Sequence, residues 1–293
     1  MVSSTPEGST RLMTELDDLV ATALREDLGR EVGGGTDVTT RFVVAPDLMG
    51  QARVIAKKAG VLSGSDAAAR VFEKVSPPCE YIALKPDGTR LQPGDEVARV
   101  VGSLASILTA ERTALNFLQR LSGIATVTRQ YVDALAAYPG VTLLDTRKTT
   151  PGLRFLERAA VRAGGGHNHR DGLWDAILIK DNHVAAAGGV TEAITRARRA
   201  RMPVEVEVDT LEQLDEALAA GAEMILLDNM NPELMRRAVE MTAGRARLEA
   251  SGGMTLEGSV AAAKAGVDRI SVGALTHSAP ALDLSLEVTK TWR

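Results

Sequence analysis

Six short apolar runs in the second half of the sequence each end in a group able to do chemistry. VTLLDTRK carries Asp145, Thr146, Arg147 and Lys148, and DAILIKDNH carries Lys180 and Asp181. VEVEVDT carries Glu207 and Asp209, and MILLDN carries Asp228 and Asn229. RLEASGG ends on Ser251, Gly252 and Gly253, and RISVGAL on Gly273 and Ala274. The stretch from Arg147 to Lys180 holds seven cations against three acids, a local charge of +4 in a chain whose formal charge is −4. A cationic mouth in an acidic protein focuses polyanionic small ligands. Arg147, Lys148 and Lys180 directly end strands. Arg154, Arg158 and Arg162 recur at helical spacing and read as a solvated helix face. In RAGGGHNHRDG three glycines precede His167, Asn168, His169 and Arg170, as in a loop that folds over a ligand. His169 beside Arg170 suits donation to a carboxylate better than metal binding, since no further ligand sits at metal spacing. The glycine turns at 251–253 and 273–274 present backbone N–H groups suited to phosphate. Glu207 and Asp228 are acids in a basic mouth. They suit a ligand with hydroxyls, one carrying Mg²⁺, or one that builds positive charge during reaction. Glu205, Glu207 and Asp209 share one strand face, and one or two of them are expected to touch ligand.

Those groups converge only if the runs are neighbouring strands. Taking Asp145, Lys180, Glu207, Asp228, Ser251 and Gly273 as markers, the intervals are 35, 27, 21, 23 and 22 residues. A strand plus its crossover helix needs about that length. The runs are continuously apolar, as strands buried on both faces are, and Ala-rich helical patterns such as LEQLDEALAAG separate most of them. The spacing predicts an α/β protein with a closed or nearly closed parallel barrel, whose chemistry sits at the C-terminal strand ends. A doubly wound open sheet is the alternative, and no glycine-rich dinucleotide fingerprint follows an early strand.

Upstream the grammar differs. Residues 1 to about 10 are polar and expected to fray. A helix is expected over Leu12–Leu28, ended by the Gly33–Gly35 cluster. Strands are expected in ARVIAKKAGVLSG, EYIALKPDG and VARVVGSL, and a helix from Ser65 to Val75 closed by Pro77-Pro78. A long helical pattern, ILTAERTALNFLQRLSGIAT, leads into the barrel runs.

Length and composition set the bounds. At 293 residues, 45% hydrophobic and 25% charged, the chain has room for about two domains. The mild acidity argues against a general nucleic-acid or membrane-surface binder. Nine aromatic residues leave few stacking platforms for bases. A single cysteine, Cys79, rules out an intrachain disulfide and points to a reducing, cytoplasmic compartment. No apolar run reaches the ~18 residues of a membrane span.

DTRKTTPGLR, GGGHNHRDGL, ILIKDNH, VEVEVDTLEQ, ILLDN, EASGG and VGALTHS together resemble the quinolinate phosphoribosyltransferase family, as do EDLGR, TDVTT and ERTALNFLQRLSGIAT upstream. The likeness runs from about Arg25 to the C-terminus. It implies an N-terminal α/β sandwich domain over residues 1–115, joined by the tail 278–293, and an incomplete parallel α/β barrel over 116–277. It also implies transfer of the phosphoribosyl group of 5-phosphoribosyl 1-diphosphate to quinolinate, with loss of CO₂ and diphosphate. Mg²⁺ is implied as cofactor, and a homodimer whose sites are shared between subunits. By the same resemblance Thr146, Arg147, His169, Arg170 and Lys180 hold quinolinate, with Arg112 supplied by the neighbouring subunit. Lys148, Glu207, Asp228, Ser251–Gly253, Gly273 and Ala274 meet the phosphoribosyl donor. Lys148, Lys180, Glu207 and Asp228 are the expected catalytic groups, with Mg²⁺ near Glu207 and Asp228. The resemblance fixes no role for His167.

Three rivals share these residues. A Schiff-base aldolase or lyase would use Lys180 at the end of AILI as an amine nucleophile. A non-catalytic phospholigand sensor could use the same barrel. A relative that acts on nicotinate or another ring acid would omit the decarboxylation.

Overall fold

The computed structural model describes residues 6–29 and 36–293, with side chains from Met13 onward. In chain order its first elements are α1 (Pro6–Leu28), α2 (Val38–Val43), β1 (Met49–Ala56), β2 (Gly60–Val61), α3 (Ser65–Lys74), β3 (Glu80–Ala83), β4 (Arg90–Leu91), β5 (Glu96–Ser103) and α4 (Leu104–Ala134). There follow β6 (Thr142–Leu144), α5 (Arg154–Ala163), β7 (Ile177–Ile179), α6 (Asp181–Ala187), α7 (Val190–Ala197), β8 (Val204–Val208), α8 (Leu211–Ala219) and β9 (Met224–Asp228). The last are α9 (Pro232–Thr242), β10 (Arg247–Ser251), α10 (Leu256–Ala265), β11 (Arg269–Ser271), α11 (Ala274–His277) and β12 (Leu284–Trp292). The Gly33–Gly35 cluster lies outside the described residues. Residues 6–10, expected to fray, are instead the first turns of α1, which Pro6 opens at a position where its missing N–H costs nothing.

Two compact units divide the chain. One comprises Met1–Thr126 with Pro280–Arg293, the other Val127–Ala279, so the division falls inside α4. The first unit is built on an antiparallel sheet of order β12-β1-β5-β3. Antiparallel pairing of Ala56 with Leu284 and of Met49 with Ser103 makes β1 a central strand. Its core is mainly apolar, with Val20 of α1, Val54 of β1, Val71 and Phe72 of α3, Val100 of β5 and Leu118 of α4 fully buried. Phe72 also stacks on Tyr81, with ring centroids 6.0 Å apart. Cys79 is buried there, far in sequence from every barrel motif.

The second unit is a parallel sheet of order β6-β11-β10-β9-β8-β7. From β7 to β11 each strand lies beside its successor, and β6 returns to the edge of β11. A bridge from Leu144 to His167 adds one extended segment to the other side of β6. Among the described residues no ladder joins β6 to β7, so this is an incomplete barrel. Helix starts are fixed locally. Thr210 accepts from the Gln213 N–H in a capping box, Asn231 accepts from Leu234 N–H with Pro232 following, and Thr255 accepts from Gly258 N–H.

Strand register then decides which side chains face inward, because paired residues share a face. Glu207 pairs with Leu226, Leu226 with Glu249, and Glu249 with Arg269. Asp228 pairs with Ser251, and Ser271 with Leu144. The opposite face carries Val206, Val208, Ile225, Leu227, Leu248, Ala250 and Ile270, all buried. The barrel thus turns its apolar face outward to the helices and its polar face to the interior.

Candidate functional site

The polar interior has a floor and a rim. At the floor, the His169 ring reaches two carboxylates: Nε2 lies 3.1 Å from Glu205 Oε2 and 3.3 Å from Glu249 Oε1. Both glutamates are buried, and the Arg269 guanidinium stands 3.3 Å from the other oxygen of Glu249. Nδ1 of His169 accepts the backbone N–H of Arg170 at 2.7 Å. Burial alone would lower the ring's pKa, but the Glu205 and Glu249 carboxylates outweigh it and carry it up to about 9. The Arg170 N–H aimed at Nδ1 works against that second proton. The acids offer donor atoms within 4.8 Å of the ring nitrogen, a spacing a metal site would also show. Arg269 already supplies the countercharge.

The loop carrying His169 is tied down from two sides. Asp145, with no exposed surface, accepts from the backbone N–H of His169 at 2.7 Å and from Asn168 Nδ2 at 2.6 Å. Burial pushes the Asp145 pKa up, and the Arg158 charge and the His169 N–H pull against that. Arg158 donates to the carbonyls of His169 and Arg170 at 2.9 and 3.0 Å and pairs with Asp171 at 2.5 Å. This overturns the reading of Arg154, Arg158 and Arg162 as a solvated face. Arg158 is buried, Arg154 is half-buried and donates to Thr149 Oγ1 and Asp171 O, and only Arg162 is exposed. The α5 stripe faces the loop that the glycines release, so its cations have carbonyls to bind.

At the rim, Arg147 and Arg170 lie close together. Burial, and next the Arg147 charge, push the Arg170 pKa below the usual guanidinium value. Arg170 donates one bond to Ala176 O at 3.1 Å. The Nε of Arg147 is buried with no hydrogen-bond partner. A buried, unsatisfied cationic donor costs free energy that an anionic ligand would recover. Lys180, about half exposed, is ion-paired to Glu207. Glu207 and Glu205 therefore part company: the first faces the rim and the second the floor. Asp228 is half-buried and accepts from Asn229 Nδ2 at 2.7 Å.

The two glycine turns adjoin these groups. Gly252 has φ +88°, and a methyl group there would collide with the Asn229 side chain, so the β9 and β10 ends pass closely. Ser251 Oγ accepts from Ser271 Oγ at 3.0 Å. Across Gly273, an added methyl would lie 3.0 Å from Lys148 Cδ and 3.2 Å from His277 Nε2. Lys148 is exposed and thus drapes over the turn that leads to Ala274. Thr276 Oγ1 holds the Lys148 carbonyl at 2.8 Å, and Thr146 Oγ1 accepts from the Lys148 N–H at 3.1 Å. His167 is exposed. The register places Glu207, Asp228 and Ser251 on neighbouring strands with Lys180 just after β7, while Thr146, Arg147 and Lys148 follow β6 and His169 and Arg170 lie on the loop after α5. Arg112 belongs to the first unit, exposed on α4.

Glu249, Arg269 and His277 carry no role in the sequence reading, yet the first two complete the floor. Their signal was period two: Glu205 precedes Glu207, Glu249 precedes Ser251, and Arg269 precedes Ser271 on one face. A charged residue two positions before a strand's functional end points into the same barrel.

The chain matches the family model for the quinolinate phosphoribosyl transferase N-terminal domain over residues 37–122 and that for the C-terminal domain over residues 124–287. It is 45% identical over 262 residues to a probable nicotinate-nucleotide pyrophosphorylase (carboxylating) of Bacillus subtilis, covering 88% of this chain and 90% of that one. The corresponding Mycobacterium leprae protein is 45% identical over 278 residues, covering 92% and 96%. A solved nicotinate-nucleotide pyrophosphorylase of Francisella tularensis superposes with a TM-score of 0.88 at 41% identity, covering 94% and 96%.

Proposed function

The chain belongs to the quinolinate phosphoribosyltransferase family, and from that premise we propose that it joins quinolinate to 5-phosphoribosyl 1-diphosphate in de novo NAD biosynthesis. The ring nitrogen of quinolinate bonds to the ribose C1, and the C1–oxygen bond to diphosphate breaks. The bond from C2 to its carboxylate then breaks, CO₂ leaves, and the electron pair left on C2 takes up a proton, giving nicotinate mononucleotide.

One observation carries this reading: the Arg147–Arg170 pair, with an orphaned buried Nε, beside Lys148 on the Gly273 turn. Two adjacent ring carboxylates suit the arginine pair, since a guanidinium binds carboxylate through two donors. Arg147, Thr146, His169, Arg170 and Lys180 are read as the quinolinate side. Lys148, Ser251–Gly253, Gly273 and Ala274 are read as the donor's phosphate side. Glu207 and Asp228 stand where positive charge develops on C1 and would stabilise it.

Mg²⁺ fits the donor set as a partner of the diphosphate. Glu207 and Asp228 offer hard carboxylate oxygens on neighbouring strands, and Mg²⁺ needs only one or two of these plus substrate phosphates. Bound there, it would neutralise charge on the departing diphosphate. Ultraviolet-monitored turnover of quinolinate with the donor and Mg²⁺ tests the reading. Equal turnover of nicotinate, which lacks the 2-carboxylate, would sink it. A Schiff-base lyase is disfavoured because Lys180 is ion-paired and half exposed, where an amine nucleophile needs a dry pocket.

A homodimer with shared sites is part of the proposal. Exposed Val38, Phe42 and Val43 on α2 supply an apolar patch suited to a second copy. Arg112 is read as reaching the partner's barrel. Arg112→Ala mixed with Lys180→Ala should then recover about a quarter of wild-type activity once subunits exchange, because half the dimers mix and each mixed dimer has one intact site. No recovery after confirmed exchange refutes the shared site.

A further inference from the structure

Glu205 and Glu249 are too deeply buried to belong to the rim, and three of their four carboxylate oxygens lack a hydrogen-bond partner by geometry. Acids left so in an interior are costly. They come from β8 and β10, with β9 between them, and both reach the His169 ring. We propose that these two glutamates are positioning residues of the quinolinate site: they hold Nε2 of His169 from below, and the ring so held receives the Arg170 N–H on Nδ1 and fixes the turn that aims the Arg170 guanidinium. The proposal rests on the reading of the activity given above.

The chemistry of the ring links the two ends. A carboxylate only accepts, so Glu205 and Glu249 place a proton on Nε2. A proton on Nε2 leaves Nδ1 as acceptor in the neutral ring, the state that the Arg170 N–H 2.7 Å from Nδ1 favours and the two carboxylates oppose. The hydrogen bond at one ring nitrogen sets the role of the other. The same turn is held on its backbone by Asp145 at the His169 N–H and by Arg158 at the carbonyls of His169 and Arg170. Every backbone group between His169 N and Arg170 O is therefore tied, and the acid pair acts on the turn through the His169 ring. Charges facing the ring are Glu205 from β8, Glu249 from β10 with Arg269 from β11 behind it, and Asp145 after β6 with Arg158 from α5. Arg269 against Glu249 keeps this floor from becoming a net anion beneath a dianionic substrate. With His169 loosened, Arg170 keeps its charge but loses its aim. Glu249 also reaches the donor side through Ser271, which donates to Ser251, so Glu205 is the cleaner probe of the quinolinate side.

Glu205→Gln and Glu249→Gln keep volume but replace a group that can only accept with an amide that can equally donate, so Nε2 is no longer forced to carry the proton. Each should raise KM for quinolinate about tenfold, with KM for 5-phosphoribosyl 1-diphosphate within about twofold in Glu205→Gln and kcat little changed. A merely structural role would move both KM values or neither, and either result in Glu205→Gln overturns the proposal. A second measurement needs no acid variant to fold. At about pH 10 the neutral ring of His169 in ¹⁵N-histidine-labelled wild-type protein, assigned among four histidines with His169→Gln, should carry its proton on Nε2. A proton on Nδ1 there overturns the tie. Wild-type protein unable to turn over quinolinate would overturn the activity instead, and the tautomer would still report on the tie.

Discussion

The two units solve opposite problems with their interiors. The first buries Val54, Leu62, Val71, Phe72 and Val100 against one another and leaves its ion pairs, such as Arg70 with Asp17, outside. The second places Val206, Ile225, Leu227 and Leu248 beneath its helices and lines the barrel with Glu205, Glu249, Arg269 and His169. An apolar interior can only stabilise. A polar one can also present oriented charge, provided each charge is answered inside or reserved for a ligand. The floor sets its acids against cations, Glu205 and Glu249 against His169 and Glu249 against Arg269, whereas the rim leaves Arg147 Nε without a hydrogen-bond partner.

The contrast is sharpest in stability. Phe72→Ala should destabilise the first unit by about 3–5 kcal/mol, as large-to-small changes at fully buried aromatics do. Urea unfolding measures it, and KM for quinolinate should stay within about twofold under conditions where the protein remains folded. A strong KM change in folded Phe72→Ala would break the separation of roles.

At the rim the same kind of truncation should act on binding. Arg170→Ala should weaken quinolinate binding by about 2–5 kcal/mol, the range for removing one partner of a desolvated charge pair. Its effect on stability should be small or favourable, because it removes the burial cost and the Arg147 repulsion that together lower the Arg170 pKa. Calorimetry and urea unfolding on one preparation separate the two. Unchanged quinolinate affinity refutes the assignment of Arg170.

These expectations also mark how far the sequence was legible. Strand ends and their spacing announced Lys148, Lys180, Glu207 and Asp228, because a parallel barrel forces the C-terminal ends of its strands to one mouth. The floor was harder to read. Glu249 sits inside RLEAS and looks like a break in an apolar run, and only the register with Leu226 and Arg269 turns it inward. Arg158 was misread for a related reason. Helical spacing says that Arg154, Arg158 and Arg162 share a stripe, but not whether water or the His169–Arg170 loop covers it. In the first unit, the apolar pattern carried the strands and α3 because burial there needs no partner chemistry.

Titration offers the smallest effects and the cleanest opposition of sign. His169 has its folded pKa raised from 6.5 to about 9, chiefly by Glu205 and Glu249 against burial. A raised pKa contributes stability that is fully present below about 6.5 and is lost as pH rises through about 9. Asp17 is the reverse. The Arg70 hydrogen bond, opposed by desolvation and seconded by Lys74, lowers its pKa from 3.8 to about 2. That contribution is present above about 3.8 and lost as pH falls through about 2. The barrel should therefore weaken on the alkaline side through its floor, and the first unit on the acid side through its surface. Urea midpoints measured across pH should show Glu249→Gln moving the alkaline decline to lower pH while leaving the acid limb alone. Asp17→Asn should flatten the acid limb only. The Asp17 effect should shrink in about 0.5 M salt, where the screening length falls to a few ångströms, while the buried His169 effect should persist. If salt abolished both, the barrel floor would be as wet as the surface of the first unit, and the difference between the two interiors would be one of composition alone.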